Sequence, residues 1–217
     1  MSRAALFDMD RTLVRRETAS LYVRYQRERG QATWRDSARV SFWVAQYTLG
    51  LLDVQDVVLG AVRQFAGTPE TVLSARCDDV FRLMVERLVA DRGRRAVEAH
   101  RDRGDLLAIV TGASPYAARP LARLLRIEHV VASELEVDAA RTLTGKPILP
   151  LCYGQGKVDR ASRLAEAQGF RLEESTFYSD SLTDLPLLER VREPVAVNPD
   201  ARLFRVAKKR GWRIERW

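Results

Sequence analysis

The chain has 217 residues and a formal net charge of +7, a length that suits one compact domain with an insertion, or two small domains. Only four of its 36 basic residues are lysines (Lys146, Lys157, Lys208 and Lys209), and the arginines run through the whole chain, often beside acids as in Arg27-Glu28-Arg29 and Arg101-Asp102-Arg103. That spread is the pattern of solvated helix faces and argues against a nucleic-acid partner. The longest strongly apolar stretch, Val40 to Leu52, is interrupted by Ser41, Gln46 and Thr48 and is too short to cross a bilayer, so membrane insertion is not expected. Strand-like sequence from Ala4 is expected to leave no room for a leader, and Cys77 and Cys152 form no C-x-x-C motif. The expected setting is a reducing cytoplasm.

Taken in chain order, the first element is an apolar run, Ala4–Phe7, of the kind that becomes a strand buried on both faces; Leu106–Val110, Thr176–Tyr178 and Val195–Val197 have the same character. Between the first and second runs lie about 70 residues more than a strand–helix–strand unit of about 30 needs. They carry helical punctuation of their own. Tyr22 and Tyr25 share a face of a helix that Gly30 should stop. Thr33 and Asp36 are spaced as a capping box ahead of Trp34, Ala38, Phe42, Ala45 and Leu49, with Trp43, Val44 and Tyr47 on another face. Asp53 could cap a third helix with Val54, Val57, Val58, Ala61, Val62 and Phe65 on one stripe, closing near Gly67. Thr68-Pro69 should open a fourth with Leu73, Cys77, Phe81, Met84 and Leu88 inward. The expected organisation is a core of residues 1–14 and 94–217 with a helical bundle, 15–93, inserted into it.

After the second strand the spacing predicts helices over Tyr116–Arg126, Lys157–Gln168 and Thr183–Arg190, and a hairpin between Val131 and Pro150 turning at Asp138–Arg141. The basic stretch Lys208 to Arg213 reads as a polar terminal helix with its exit. Strands alternating with helices imply an α/β fold with a doubly wound parallel sheet.

The first strand runs into Phe7-Asp8-Met9-Asp10-Arg11-Thr12-Leu13-Val14. Two carboxylates one residue apart at the carboxyl end of a central strand sit where open α/β sheets bind ligands, although alone they could be a turn and a helix cap. Three further segments end near strand tips. Thr111-Gly112-Ala113-Ser114 offers a hydroxyl and accessible amides ahead of a helix. Gly154-Gln155-Gly156-Lys157 puts a lysine at a helix start, and Ser179-Asp180-Ser181-Leu182-Thr183-Asp184 supplies two acids four apart. The glycine–lysine segment is no P-loop, because Leu151 stands at the first glycine and Val158 at the magnesium-binding hydroxyl. His100 and His129 are isolated in the sequence and read as surface or packing residues.

These four segments, in this order and with a helical insertion between the first two, resemble the motifs of the haloacid dehalogenase superfamily, and most of all its phosphoserine phosphatase-like subfamily. The resemblance implies a magnesium-dependent phosphatase with a Rossmann-like hydrolase core. It implies Asp8 as the nucleophile that forms an aspartyl phosphate, and Asp10 as general acid and then base. Mg2+ would be held by Asp8, the Asp10 backbone and Asp180, with Asp184 behind them. Thr111, Gly112 and Lys157 would bind the phosphate.

In phosphoserine phosphatases an inserted glutamate contacts the substrate ammonium, and Glu17 stands at the matching place. The arginine that grips a substrate carboxylate has no clear counterpart: Ala61 aligns there, with Arg63 nearby. Thr183 replaces a frequent asparagine, and Arg11 a usually small residue. These departures argue against strict phosphoserine specificity: a retained ammonium partner without a clear carboxylate partner suits a small amine-bearing metabolite, an amino-alcohol phosphate such as histidinol phosphate, or phosphoserine if another arginine serves. The exposed apolar face around Trp43 leaves a lipid headgroup phosphate open. A phosphate-binding protein without catalysis on the same fold is the alternative from another class, against which the retention of both Asp8 and Asp10 argues.

Overall fold

The computed structural model describes residues 3–30, 33, 34, 42 and 54–217. Among them, strands β1 (Ala4–Phe7), β2 (Leu106–Val110), β3 (His129–Val131), β6 (Thr176–Ser179), β7 (Glu193–Val197) and β8 (Arg213–Glu215) form one sheet in the order β3-β2-β1-β6-β7-β8. Every pairing in it is parallel. A short antiparallel hairpin, β4 (Leu135–Val137) and β5 (Leu143–Pro147), stands apart from it.

The apolar runs form these strands because the chain can bury both of their faces. In β1 the side chains of Ala5 and Phe7 enter one core and those of Ala4 and Leu6 the other; in β2 Leu107 and Ile109 separate in the same way from Ala108 and Val110. One face is covered by α4 (Asp91–Asp102) and α5 (Pro115–Leu125) through Val97, Ala118 and Leu121. The other is covered by α6 (Gln155–Gln168), α7 (Leu185–Leu188) and α8 (Ala201–Arg210) through Val158, Ala161, Leu187 and Leu203. The sheet is therefore doubly wound, as expected. From β1 the chain builds outward to β2 and β3 on one side and to β6, β7 and β8 on the other, which puts the topological switch point at β1.

Between β1 and β2 lie α1 (Thr18–Glu28), α2 (Val54–Arg63) and α3 (Glu70–Val80), followed by a π-turn, Phe81–Val85, and a 3-10 turn, Glu86–Leu88. Gly30 ends the first of these at φ 70 and Gly67 follows α2 at φ 78, the left-handed positions glycine fills at least cost. A third core of Val62, Leu73, Cys77, Tyr116, Leu135 and Leu143 ties α2 and α3 to α5 and the hairpin.

Some expectations need correction. Trp34 and Phe42, whose helical spacing in the inserted bundle implies a buried face, are 68% and 60% exposed. The Thr33–Asp36 box, the Trp43 face and the Asp53 cap lie outside the described residues. The helix expected over Thr183–Arg190 is a 3-10 turn, Leu182–Asp184, and then only α7, since Pro186 starts a helix but cannot extend one backward. The basic tail ends α8 with Lys208, Lys209 and Arg210, is capped by Gly211 at φ 66, and continues as edge strand β8. His100 is not isolated: its ring is buried, with Nδ1 2.7 Å from Asp105 and Nε2 2.8 Å from the Tyr178 hydroxyl.

Candidate active site

The carboxyl end of β1 is held in register beyond the strand itself, because the Asp8 amide donates to the Tyr178 carbonyl at 2.9 Å. The chain then turns tightly, and the Val14 amide closes the loop onto the Met9 carbonyl at 2.9 Å. Asp10 accepts from the Thr18 amide at 2.7 Å and so faces the amino end of α1, where unpaired N–H groups favour a carboxylate. Glu17 occupies the residue before that helix and makes no side-chain cap bond. A helix cap is therefore not its role.

Lys157 lies in the first turn of α6. Gly156 beside it packs so closely on the Leu151 carbonyl that an added Cβ would lie 2.0 Å from that oxygen. Lys157 is 2% exposed, and its ammonium bridges two carboxylates, Asp8 Oδ1 at 2.8 Å and Asp184 Oδ2 at 2.7 Å. Burial alone would lower its pKa, but Asp184 and Asp8 outweigh burial and hold it well above the ordinary value. The Ser179 hydroxyl donates to the same Asp184 oxygen at 2.6 Å. Sequence reasoning did not single out Ser179, and its only signal was a small hydroxyl between the strand and the acid pair.

The acids outnumber the cations here, and the shifts follow. Burial lifts the Asp8 carboxyl to about 7; Lys157 opposes this, while Asp184 and Asp10 add to it. Burial and then the neighbouring Glu17 charge lift Asp10 to about 7 as well. Burial followed by Asp8 raises Asp180 well above the carboxylate range, and Arg11 partly offsets them. Arg11 Nε is 3.2 Å from Asp180 Oδ2. Among the described residues no three acid, histidine or cysteine side chains converge as a ready cation cage. Asp180 is instead turned onto Arg11.

Thr111 follows β2 and is buried, with its Oγ1 accepting from the Ala113 amide at 3.1 Å. The loop it opens leads to Ser114, which caps α5. Gly112 lies under the Tyr153 ring, which would be 2.2 Å from an added Cβ. Asp10, Glu17 and Gly112 line one cavity of about 320 Å³ between the strand ends and the inserted helices. Its remaining walls are mainly apolar, with Tyr22, Phe65, Leu73, Phe81 and Tyr153 among them. No arginine or lysine among the described residues lines it. Arg63 is exposed and lies outside the lining, whereas Ala61 is part of it.

The structure thus brings Asp8, Lys157 and Asp184 into direct contact and sets Asp10, Glu17 and Gly112 around a shared cavity. The Thr111 hydroxyl accepts from the Ala113 amide of its own loop while its amide donates to the Val131 carbonyl at 2.9 Å, and Asp180 pairs with Arg11.

The family model for haloacid dehalogenase-like hydrolases matches residues 5–189. Over 220 residues the chain is 32% identical to a phosphoserine phosphatase of Mycobacterium tuberculosis, covering 99% of this chain and 70% of that protein. It is 27% identical to a histidinol-phosphatase of Neisseria meningitidis serogroup C, covering 99% and 98%. A crystal structure of a protein of unknown function from Bordetella pertussis Tohama I superposes with a TM-score of 0.88 at 29% identity, covering 99% and 98%.

Proposed function

The chain belongs to the haloacid dehalogenase-like hydrolases and is a phosphoric monoester hydrolase, and from that premise we propose that it cleaves a small amine-bearing phosphate through an aspartyl phosphate on Asp8, with Mg2+ as cofactor. The reading assigns residues 1–14 and 94–217 to catalysis and 15–93 to the insertion that closes over it. The observation that carries it is the Lys157 bridge between Asp8 and Asp184 at the switch point of the sheet, beside a cavity whose polar end is Asp10 and Glu17.

Asp8 Oδ1 is engaged by Lys157, which leaves the other oxygen to attack phosphorus. As that P–O bond forms, the bond to the substrate oxygen breaks. Asp10, lifted to about 7, carries a proton for the departing alkoxide over part of the neutral range and then takes one from the water that attacks the aspartyl phosphate. Lys157, the Thr111 hydroxyl and the Gly112 amide would receive the transferring oxygens; Thr111 Oγ1 accepts from the Ala113 amide, so its own O–H proton is left to donate.

The donor set suits a hard divalent cation: buried carboxylates with raised pKa values and too few cations to balance them. Asp8, Asp180 and the Asp10 carbonyl would hold it, and it would supply the positive charge that lets a carboxylate approach a phosphate.

The walls of the cavity favour one substrate type. Glu17 suits an ammonium, and burial is the main cause raising its pKa, so an ionised Glu17 gains most from a cationic partner. A substrate carboxylate would meet acids at the polar end and apolar side chains elsewhere. An amino-alcohol phosphate with an apolar or aromatic body, of the histidinol phosphate type, therefore fits better than phosphoserine. The test is phosphate release from both compounds by the purified chain with Mg2+ and with EDTA. The reading expects turnover only with Mg2+ and a higher kcat/KM for histidinol phosphate; a clear preference for phosphoserine would overturn the substrate assignment.

A further inference from the structure

Arg11 is placed at odds with its backbone. It stands in the tight loop after β1 at φ 57, a left-handed conformation that costs a side-chain-bearing residue free energy and that glycine adopts freely. The loop is fixed from outside: Asn198 Nδ2 donates to the Arg11 carbonyl at 3.1 Å, and Asn198 Oδ1 accepts from the Trp217 amide at 2.9 Å. So the backbone cannot relax without breaking that link, and the side chain starts from a fixed point beside Asp180. Its Nε is 3.2 Å from Asp180 Oδ2, and its charge also acts on Glu17.

We propose that Arg11 is a tethered counter-cation that competes with the divalent metal for Asp180 and so sets the affinity of the site for magnesium. The inference rests on Asp180 being a metal ligand, as read above. Asp180 is buried, with a side-chain exposure of 9%, whereas the Arg11 side chain is 37% exposed. The carboxylate is fixed and the guanidinium is the movable partner. An arginine cannot lose its charge near neutral pH, so it cannot yield by deprotonating; it must swing outward into solvent, and its exposed position leaves that path open. A cation that leaves as the metal enters also limits the swing in net charge of a buried, acid-rich site.

The test is isothermal titration of MgCl2 into the full chain as wild type, Arg11→Asn, Arg11→Lys and Asp180→Asn. Asparagine tolerates the left-handed conformation and removes the charge, while lysine keeps the charge. The proposal expects Arg11→Asn to bind Mg2+ about twofold to fivefold more tightly, with Arg11→Lys near wild type, in line with loss of one partly screened ion pair. The rise in thermal midpoint on adding Mg2+ should also be larger in Arg11→Asn, a readout independent of turnover. Unchanged or weaker binding in Arg11→Asn, with binding lost in Asp180→Asn, overturns the role of Arg11 and leaves the metal site standing. Absence of saturable Mg2+ binding in every protein overturns both.

Discussion

Asp8 and Lys157 show how a residue can be legible from sequence while its neighbours are not. The Asp8-x-Asp10 pair and the lysine at a helix start are fixed by local spacing, and the structure brings Asp8 and Lys157 within 2.8 Å across 149 residues of chain. Arg11 was visible only as a departure, because no spacing rule tells which acid a long flexible side chain will find. Ser179 was missed for the same reason: its bond to Asp184 depends on how the strand end and the following turn meet. At Glu17 the absence of a side-chain cap bond removes one structural role, that of helix cap. If Glu17 reads an ammonium, Glu17→Gln loses a charge-assisted hydrogen bond contributing about 1.5–3 kcal/mol. That predicts a roughly tenfold to hundredfold fall in kcat/KM for the amine-bearing phosphate relative to a neutral aryl phosphate. Equal losses on both substrates would make Glu17 a structural residue.

The strands were the most legible elements, since continuous apolar runs buried on both faces leave little choice of role. Edge strands β3 and β8 were not legible, because His129–Val131 and Arg213–Glu215 are short, and β8 is mostly charged. Helix α4 was hidden by its arginines, which mask the few residues, such as Val97, that face the core. It also carries His100 against the sheet, where Phe7 of β1 and Tyr178 of β6 stack at 4.8 Å. Burial lowers the His100 pKa from 6.5; the Asp105 bond opposes this and Arg103 adds to it. The folded chain thus resists a proton that the unfolded chain accepts, so this group's contribution is present above about pH 6.5 and is lost as pH falls through the lowered folded value. The raised carboxylates of the site act with the opposite sign, so the useful quantity is a difference. Relative to His100→Gln, the wild-type thermal midpoint should fall as pH is taken from about 7 to about 5. A constant difference across that range would mean His100 does not change its protonation there.

At the scale of the whole molecule, the doubly wound order follows from alternating strands and helices, and the switch point at β1 explains why four separated segments meet. Helices α1, α2 and α3 were legible from their apolar stripes and from the glycines that follow α1 and α2. Their packing was not, as the exposed Trp34 and Phe42 show: periodicity identifies an apolar face and does not say what covers it. The cavity they help form is a property of the assembled chain, and its apolar walls come from well-separated stretches of sequence, from Tyr22 to Tyr153. The central claim is that this arrangement makes Asp8 a covalent nucleophile. It is tested most directly by acid-quenching the enzyme during turnover with Mg2+ and mapping the phosphoryl group by peptide mass spectrometry. The account predicts a phosphorylated peptide containing Asp8, absent from Asp8→Asn; normal phosphate release with no such peptide, or with the phosphoryl group on another residue, would contradict it.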